Sequence, residues 1–270
     1  MSVINTNVSA LSAQNALKTN ARSMSTNMEQ LSTGSRINSA KDDAAGLAIG
    51  QNMTSQIRGL NMAVRNINDG VNMMQTAEGA MIEQSNMLQR MRELAVQSSN
   101  GTVSDTQRTY LNTEFQALTS QIGNIASQTT WNGTNLMNAT TTFAFQAGAS
   151  SGQTISVVVT GMTTSSLGIS SASISSSSFA MTAIATLDTA LNSINSQRAT
   201  IGAGINQMTY AGDNMSNIAA NVTASRSTIM DTDYATASTN LAKNQIIQQA
   251  ATAMLAQANQ QPQAVLSLLK

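Results

Sequence analysis

Apolar residues recur along most of this chain at alternating spacings of three and four, the mark of helices that each carry one apolar stripe. Val3, Ala10, Leu17, Met24 and Leu31 stand at every seventh position, with Val8, Leu11, Ala21 and Met28 beside them. A second stripe runs from Met53 through Ile57, Leu60, Val64, Ile67, Val71 and Met74 without a fault, and continues through Met81, Leu88 and Ala95. A third takes in Leu111, Phe115, Leu118, Ile122 and Ile125. The fourth runs from Ile184 to Ile229 and is broken only at Arg198, Gly212 and Arg226. The last contains Ile247, Ala251, Met254, Ala258, Gln261, Val265 and Leu268, and is widened by Leu255, Leu266 and Leu269.

Polar and glycine-bearing breaks separate these stripes. Ser32 to Ser35 interrupts the first helix, and Asn38 to Asp43 reads as a loop with N-terminal helix signals, so a long helix is predicted from near Ala44 to Gln97. Ser98 to Thr102 predicts a turn and Asp105 the start of a helix that folds back antiparallel. Trp131-Asn132-Gly133 and Gly148 to Gly152 punctuate two β-prone runs, Thr141 to Gln146 and Thr154 to Thr160, which predict one hairpin at the far tip. The Ser/Thr-dominated stretch from Gly161 to Ser178 reads as a surface loop. Pro262 is expected to kink or end the last helix, because it removes a backbone donor.

The first and last stripes have nothing local to pack against and so invite each other. The fold class is therefore mainly α: an elongated out-and-back coiled coil of long helices with one small β-hairpin. The expected domains are residues 1–43 with 231–270 as paired terminal helices, and residues 44–230 as a helical bundle. That bundle carries the hairpin at about 131–160 and the Ser/Thr-rich loop at about 161–179.

Composition narrows the chemistry. Aromatics make up 3% and charged residues 10% of the 270 residues, against roughly 25% charged in ordinary domains; the core must be thin, as in helix bundles. Zero net charge and scattered cations argue against nucleic acid. Without histidine or cysteine there is no imidazole base, thiolate or His/Cys zinc site. No catalytic, cofactor or metal site is expected. The acidic pairs Asp42-Asp43 and Asp231/Asp233 lie beside helix ends, where capping outweighs metal binding. No run is long enough to cross a membrane. The first basic residue is Lys18, so no Sec signal pattern opens the chain and export would need another route.

The residues that break the stripes also carry a resemblance. The stretch Leu31-Ser32-Thr33-Gly34-Ser35-Arg36-Ile37-Asn38-Ser39-Ala40-Lys41-Asp42-Asp43-Ala44-Ala45-Gly46-Leu47-Ala48-Ile49 is similar to the N-terminal signature of bacterial flagellins. Gln89 to Gln97, the stretch Gln248-Gln249-Ala250 with Ala256 to Gln260 and Val265 to Leu269, and, more weakly, Arg198 to Ala203 resemble further flagellin signatures. Together they cover about residues 1–160 and 180–270. Ala237 departs from an acid common in the family, and Lys270 from a commoner arginine or glutamine.

The resemblance implies a minimal flagellin of core and sleeve alone. Such a chain is a structural filament subunit, secreted to the outside through the flagellar type III system and used for swimming; the alternative is a hook-filament junction adaptor. Implied partners are further copies of itself, an export chaperone, the filament cap, hook-junction proteins and host innate immune receptors. Val3, Leu17, Met24, Leu31, Ile247, Met254, Val265 and Leu268 are the expected assembly seam, whose terminal helices gain order on assembly. By resemblance, Gln89, Arg90, Leu94 and Glu114 match a receptor-recognition patch, and Leu266, Leu268 and Leu269 a tail read by a cytosolic sensor.

Overall fold

The computed structural model describes residues 6–267, and side-chain surroundings for residues 6–260. The described elements run α1 (Val8–Thr33), α2 (Ala44–Ser99), α3 (Asp105–Gln128), β1 (Thr130–Trp131), β2 (Thr134–Asn135), β3 (Thr141–Gln146), β4 (Thr154–Val159), α4 (Ser177–Met230) and α5 (Tyr234–Ser267). They form two compact units, Met1–Ser55 with Asn221–Lys270, and Gln56–Ala220. The class is mainly α, as the stripes dictate, and none of the described helices is long and apolar enough to cross a membrane.

The unit Gln56–Ala220 is a bundle of α2, α3 and α4. Antiparallel packing follows from its cross-contacts: Gln84 of α2 donates to the Ile122 carbonyl of α3, Arg90 pairs with Glu114, and Arg92 with Asp188 of α4. Stripe residues Ile67, Met74, Met81, Leu88, Phe115, Ile122, Leu187, Ile194, Ile201 and Met208 form one buried cluster. All three breaks of the α4 stripe have partners: Arg198 lies 3.6 Å from Glu78, Gly212 faces Ile67, and Arg226, in the other unit, donates to the Thr54 hydroxyl at 3.4 Å.

The turn between α2 and α3 is held by chemistry that its sequence announces. Ser104 and Gln107 form a reciprocal capping box at the start of α3. The nearly buried Arg108 guanidinium donates to the Ser98 and Asn100 carbonyls and to Asp105, closing the turn over its own helix.

Strands β3 and β4 pair antiparallel with Phe143 opposite Val157 and Phe145 opposite Ile155. Ile155, Val157 and Val159 alternate inward on β4. The hairpin does not sit at a tip. Phe145 lies against Gly70 of α2, Val157 against Gly204 of α4, and Gln197 donates to the Val158 carbonyl at 2.8 Å. The glycines in these long helices therefore admit strands as well as helices; Gly79 has nothing near it.

Two further features differ from the sequence reading. Asn132 (φ 47°) and Gly133 (φ 80°) make a primed turn that closes a second, two-residue-strand hairpin, β1–β2. The Ser/Thr-rich stretch has no regular structure, yet it buries Met162, Leu167, Ile169 and Ile174 in the bundle core. Four apolar anchors spaced among serines hold it down, which an average over the stretch conceals.

In the other unit, α1 and α5 lie antiparallel along each other, with the first turns of α2 and the last of α4. Helix α5 continues through Pro262 to Ser267, so the proline does not end it.

Candidate assembly surface

Four helix ends meet where the sequence breaks its first stripe. Helix α1 stops at Gly34, which takes a left-handed conformation (φ 71°) and donates its N–H to the Gln30 carbonyl at 2.9 Å. Ser35 and Asp231 then form an isolated antiparallel bridge, flanked by Arg36 N–H to the Met230 carbonyl and Thr232 N–H to the Gly34 carbonyl. The Arg36 guanidinium donates twice to the Ile229 carbonyl, at 3.2 and 2.7 Å. A cation at the end of α4 meets the negative end of its dipole.

One member of each acidic pair caps a helix, Asp43 for α2 and Asp233 for α5, while Asp42 ties down the loop before α2 and Asp231 lies in the bridge. Asp42 accepts from the Ser39 hydroxyl at 2.9 Å and from the Ser39 and Asn38 amides, which hold its carboxyl below the usual range. Asp43 accepts the Gly46 N–H at 2.8 Å and caps α2. A side chain at Gly46 would strike Asp43 and the buried Ile37. At the start of α5, Asp233 is also lowered, first by the Thr236 hydroxyl at 2.7 Å and then by the Thr236 and Ala235 amides. No group of acidic side chains suited to a metal ion exists among the described residues.

The α1–α5 seam uses Ala10, Ala13, Leu17, Asn20, Met24, Asn27 and Leu31 on one side. On the other it uses Ala237, Leu241, Asn244, Gln248, Ala251, Leu255 and Ala258. Alanines at these positions let the two backbones approach. Three side chains reach backbone carbonyls across it: Asn7 to Ala258 at 2.7 Å, Asn20 to Asn244 at 2.8 Å, and Tyr234 to Leu31 at 3.3 Å.

This corrects the stripe read from sequence for the last helix. Leu17, Met24 and Leu31 do face α5, and Ala251 and Ala258 face α1, but Ile247 (39% exposed) and Met254 (67%) lie outside the seam. Asn244 and Gln248 occupy half-buried positions that a purely apolar criterion gives to their neighbours, and the Asn244 backbone carbonyl there accepts from Asn20. Val8, Leu11 and Met28 on α1 and Ile246 on α5 are also exposed. Val3 and Leu268 lie outside the described residues, as does the side chain of Val265.

On the bundle, Gln89, Arg90 and Glu114 are exposed together. Arg90 donates to Glu114 at 2.9 Å and to Glu93 at 3.1 Å, and these carboxylates, Glu114 first, raise its pKa. Leu94 does not join this surface. It is 1% exposed and belongs to the core cluster, because it continues the inward stripe of Leu88 and Ala95. Leu269 and Leu268 are outside the described residues, and Leu266 is described in backbone only.

Residues 4–142 match the bacterial flagellin N-terminal helical region, and residues 184–269 the bacterial flagellin C-terminal helical region. The chain belongs to the bacterial flagellin family. It is 41% identical to a flagellin of Bacillus subtilis (strain 168), with 99% of each chain covered. It is also 41% identical to the flagellar filament 33 kDa core protein of Treponema phagedenis, over 99% of this chain and all of that protein. Among solved structures it is similar to the Bacillus cereus flagellin, with a TM-score of 0.52 and 31% identity, covering 56% of this chain and 88% of that one.

The flagellin regions contain the four-helix junction and both seam helices, whereas the stretch between them, residues 143–183, holds most of the hairpin and the Ser/Thr-rich loop. Full-length coverage of relatives of similar size accords with a minimal form without added outer domains.

Proposed function

We propose that this chain is the structural subunit of a bacterial flagellar filament, outside the cell, where repeated copies build the polymer that serves swimming. Beside family membership, one observation supports this reading. After α1 and α5 have completed their mutual seam, Val8, Leu11, Met28, Ile246, Ile247 and Met254 remain exposed. Each such side chain left wet forgoes roughly 1.5–3 kcal/mol of burial. A head-to-tail arrangement that never closes buries the same faces at every addition.

In this reading residues 1–43 and 231–270 form the filament core and residues 44–230 its sleeve. Ile247 and Met254 serve contacts between subunits, while Leu17, Met24 and Leu31 hold the pair within one. Export through the flagellar type III system, with an export chaperone, and contacts with filament cap and hook-junction proteins belong to the same proposal. Recognition by host innate receptors would use Gln89, Arg90 and Glu114; an Arg90→Ala chain that activates such a receptor as strongly as the parent would remove that part. The thin, alanine-rich seam supports a gain of helical order on assembly.

Seeded polymerisation tests the whole reading. Long uniform filaments with increased helical circular dichroism are expected. A chain that stays monomeric with seeds would instead favour a junction adaptor.

A further inference from the structure

Sulfur in this chain is confined to methionine, since it has no cysteine and 17 methionines. The structure sorts these thioethers sharply. Met74, Met81, Met91, Met137 and Met208 are sealed in the bundle core. Among the described residues only Met28, Met62, Met181 and Met254 are exposed, and two of these, Met28 (55%) and Met254 (67%), stand on the terminal helix pair. Met254 follows Ile247 by two helical turns, so the two share one flank of α5 just outside the seam.

We propose that Met28 and Met254 are oxidation sites whose conversion to the sulfoxide stops the free subunit from adding to a filament. The inference rests on the filament reading above and adds to it a chemical control of the same surface. A peroxide delivers one oxygen atom to the thioether lone pair: the S–O bond forms, the O–O bond breaks, sulfur loses two electrons and the peroxide leaves as water. The product replaces a flexible apolar side chain with a polar one. In the free subunit that change is tolerated, because both side chains face water. In a subunit contact the sulfoxide oxygen must be buried without an assured donor, so the cost falls on assembly. Once a subunit is assembled, its neighbours cover these positions and shield them. The core methionines are protected in either state, so the subunit remains folded while losing its capacity to add.

The test treats the purified full-length chain with hydrogen peroxide under native conditions, maps the added oxygen by peptide mass spectrometry, and measures seeded elongation. Met28 and Met254 should gain one oxygen each while Met74, Met81 and Met208 do not, and elongation should fall about ten-fold or more. A Met28→Leu/Met254→Leu chain, at whatever rate it elongates before treatment, should keep that rate afterwards, although Met62 and Met181 are still oxidised. Treating the oxidised parent with methionine sulfoxide reductase should restore its rate, which keeps the test decisive if the double variant elongates poorly. Elongation that survives oxidation at both positions, or a double variant inhibited as strongly as the parent, would overturn the proposal alone. A chain that fails to elongate on seeds before any peroxide would overturn the filament reading itself.

Discussion

At the residue scale, the value of a glycine depends on what a methyl group in its place would touch. In Gly79→Ala the new Cβ meets nothing within 4 Å, so the helix-propensity gain of alanine is unopposed. In Gly204→Ala the Cβ would come 2.8 Å from Val157 Cγ2, a buried β-branched side chain with little freedom to move. The first change is expected to stabilise the chain by up to about 1 kcal/mol, and the second to destabilise it by about 1–2 kcal/mol. Chemical denaturation of the two variants checks both signs.

The carboxylates that accept local hydrogen bonds make a second prediction of this kind. Asp42 and Asp233 are both lowered by hydrogen bonds to their charged forms. Their contribution to stability is therefore complete above the usual carboxylate range. It is lost as pH falls through the lowered values of the folded chain, because the unfolded chain takes up protons first. The melting temperature should drop on acidification from about pH 5 to about pH 2. An Asp42→Asn/Asp233→Asn chain should start lower and fall less steeply; an unchanged slope would assign the acid sensitivity to other groups.

At the element scale, α5 carries two overlapping stripes. One, through Leu241, Ala251 and Leu255, faces α1, and the other, through Ile247 and Met254, faces outward. The two can be separated by mutation. Leu255→Ala, at a half-buried position, is expected to weaken the pair by about 1–2 kcal/mol, read as faster amide exchange in α1 and α5. Ile247→Ala should leave that exchange unchanged and raise the concentration needed for polymerisation. The helix stop at Gly34 and the cap at Asp43 show why the signature stretch is so dense: it closes one helix and starts another within a short span.

At the scale of the whole molecule, the bundle has a core of its own, from Ile67 to Met208, and none of the described residues of the terminal pair belongs to it. A fragment of residues 56–220 is expected to fold cooperatively with native-like near-ultraviolet circular dichroism, and to add no length to filament seeds. A fragment that stays unfolded would make the bundle dependent on the terminal helices.

Periodicity suffices to locate all five helices, because a stripe repeated over many turns reports burial without knowledge of the partner. Turn chemistry likewise marks the stop at Gly34 and the caps at Asp43 and Asp233, since these bonds are local. The sequence by itself determined the helical class, the breaks between helices and the family. Tertiary structure alone decided which of two adjacent stripes on α5 meets α1, because Asn244 and Gln248 read as surface until α1 lies against them and half-buries them. It alone placed the hairpin against Gly70 and Gly204, drew Leu94 into the core and anchored a serine-rich loop by four apolar side chains. Burial is a property of the partner as much as of the residue.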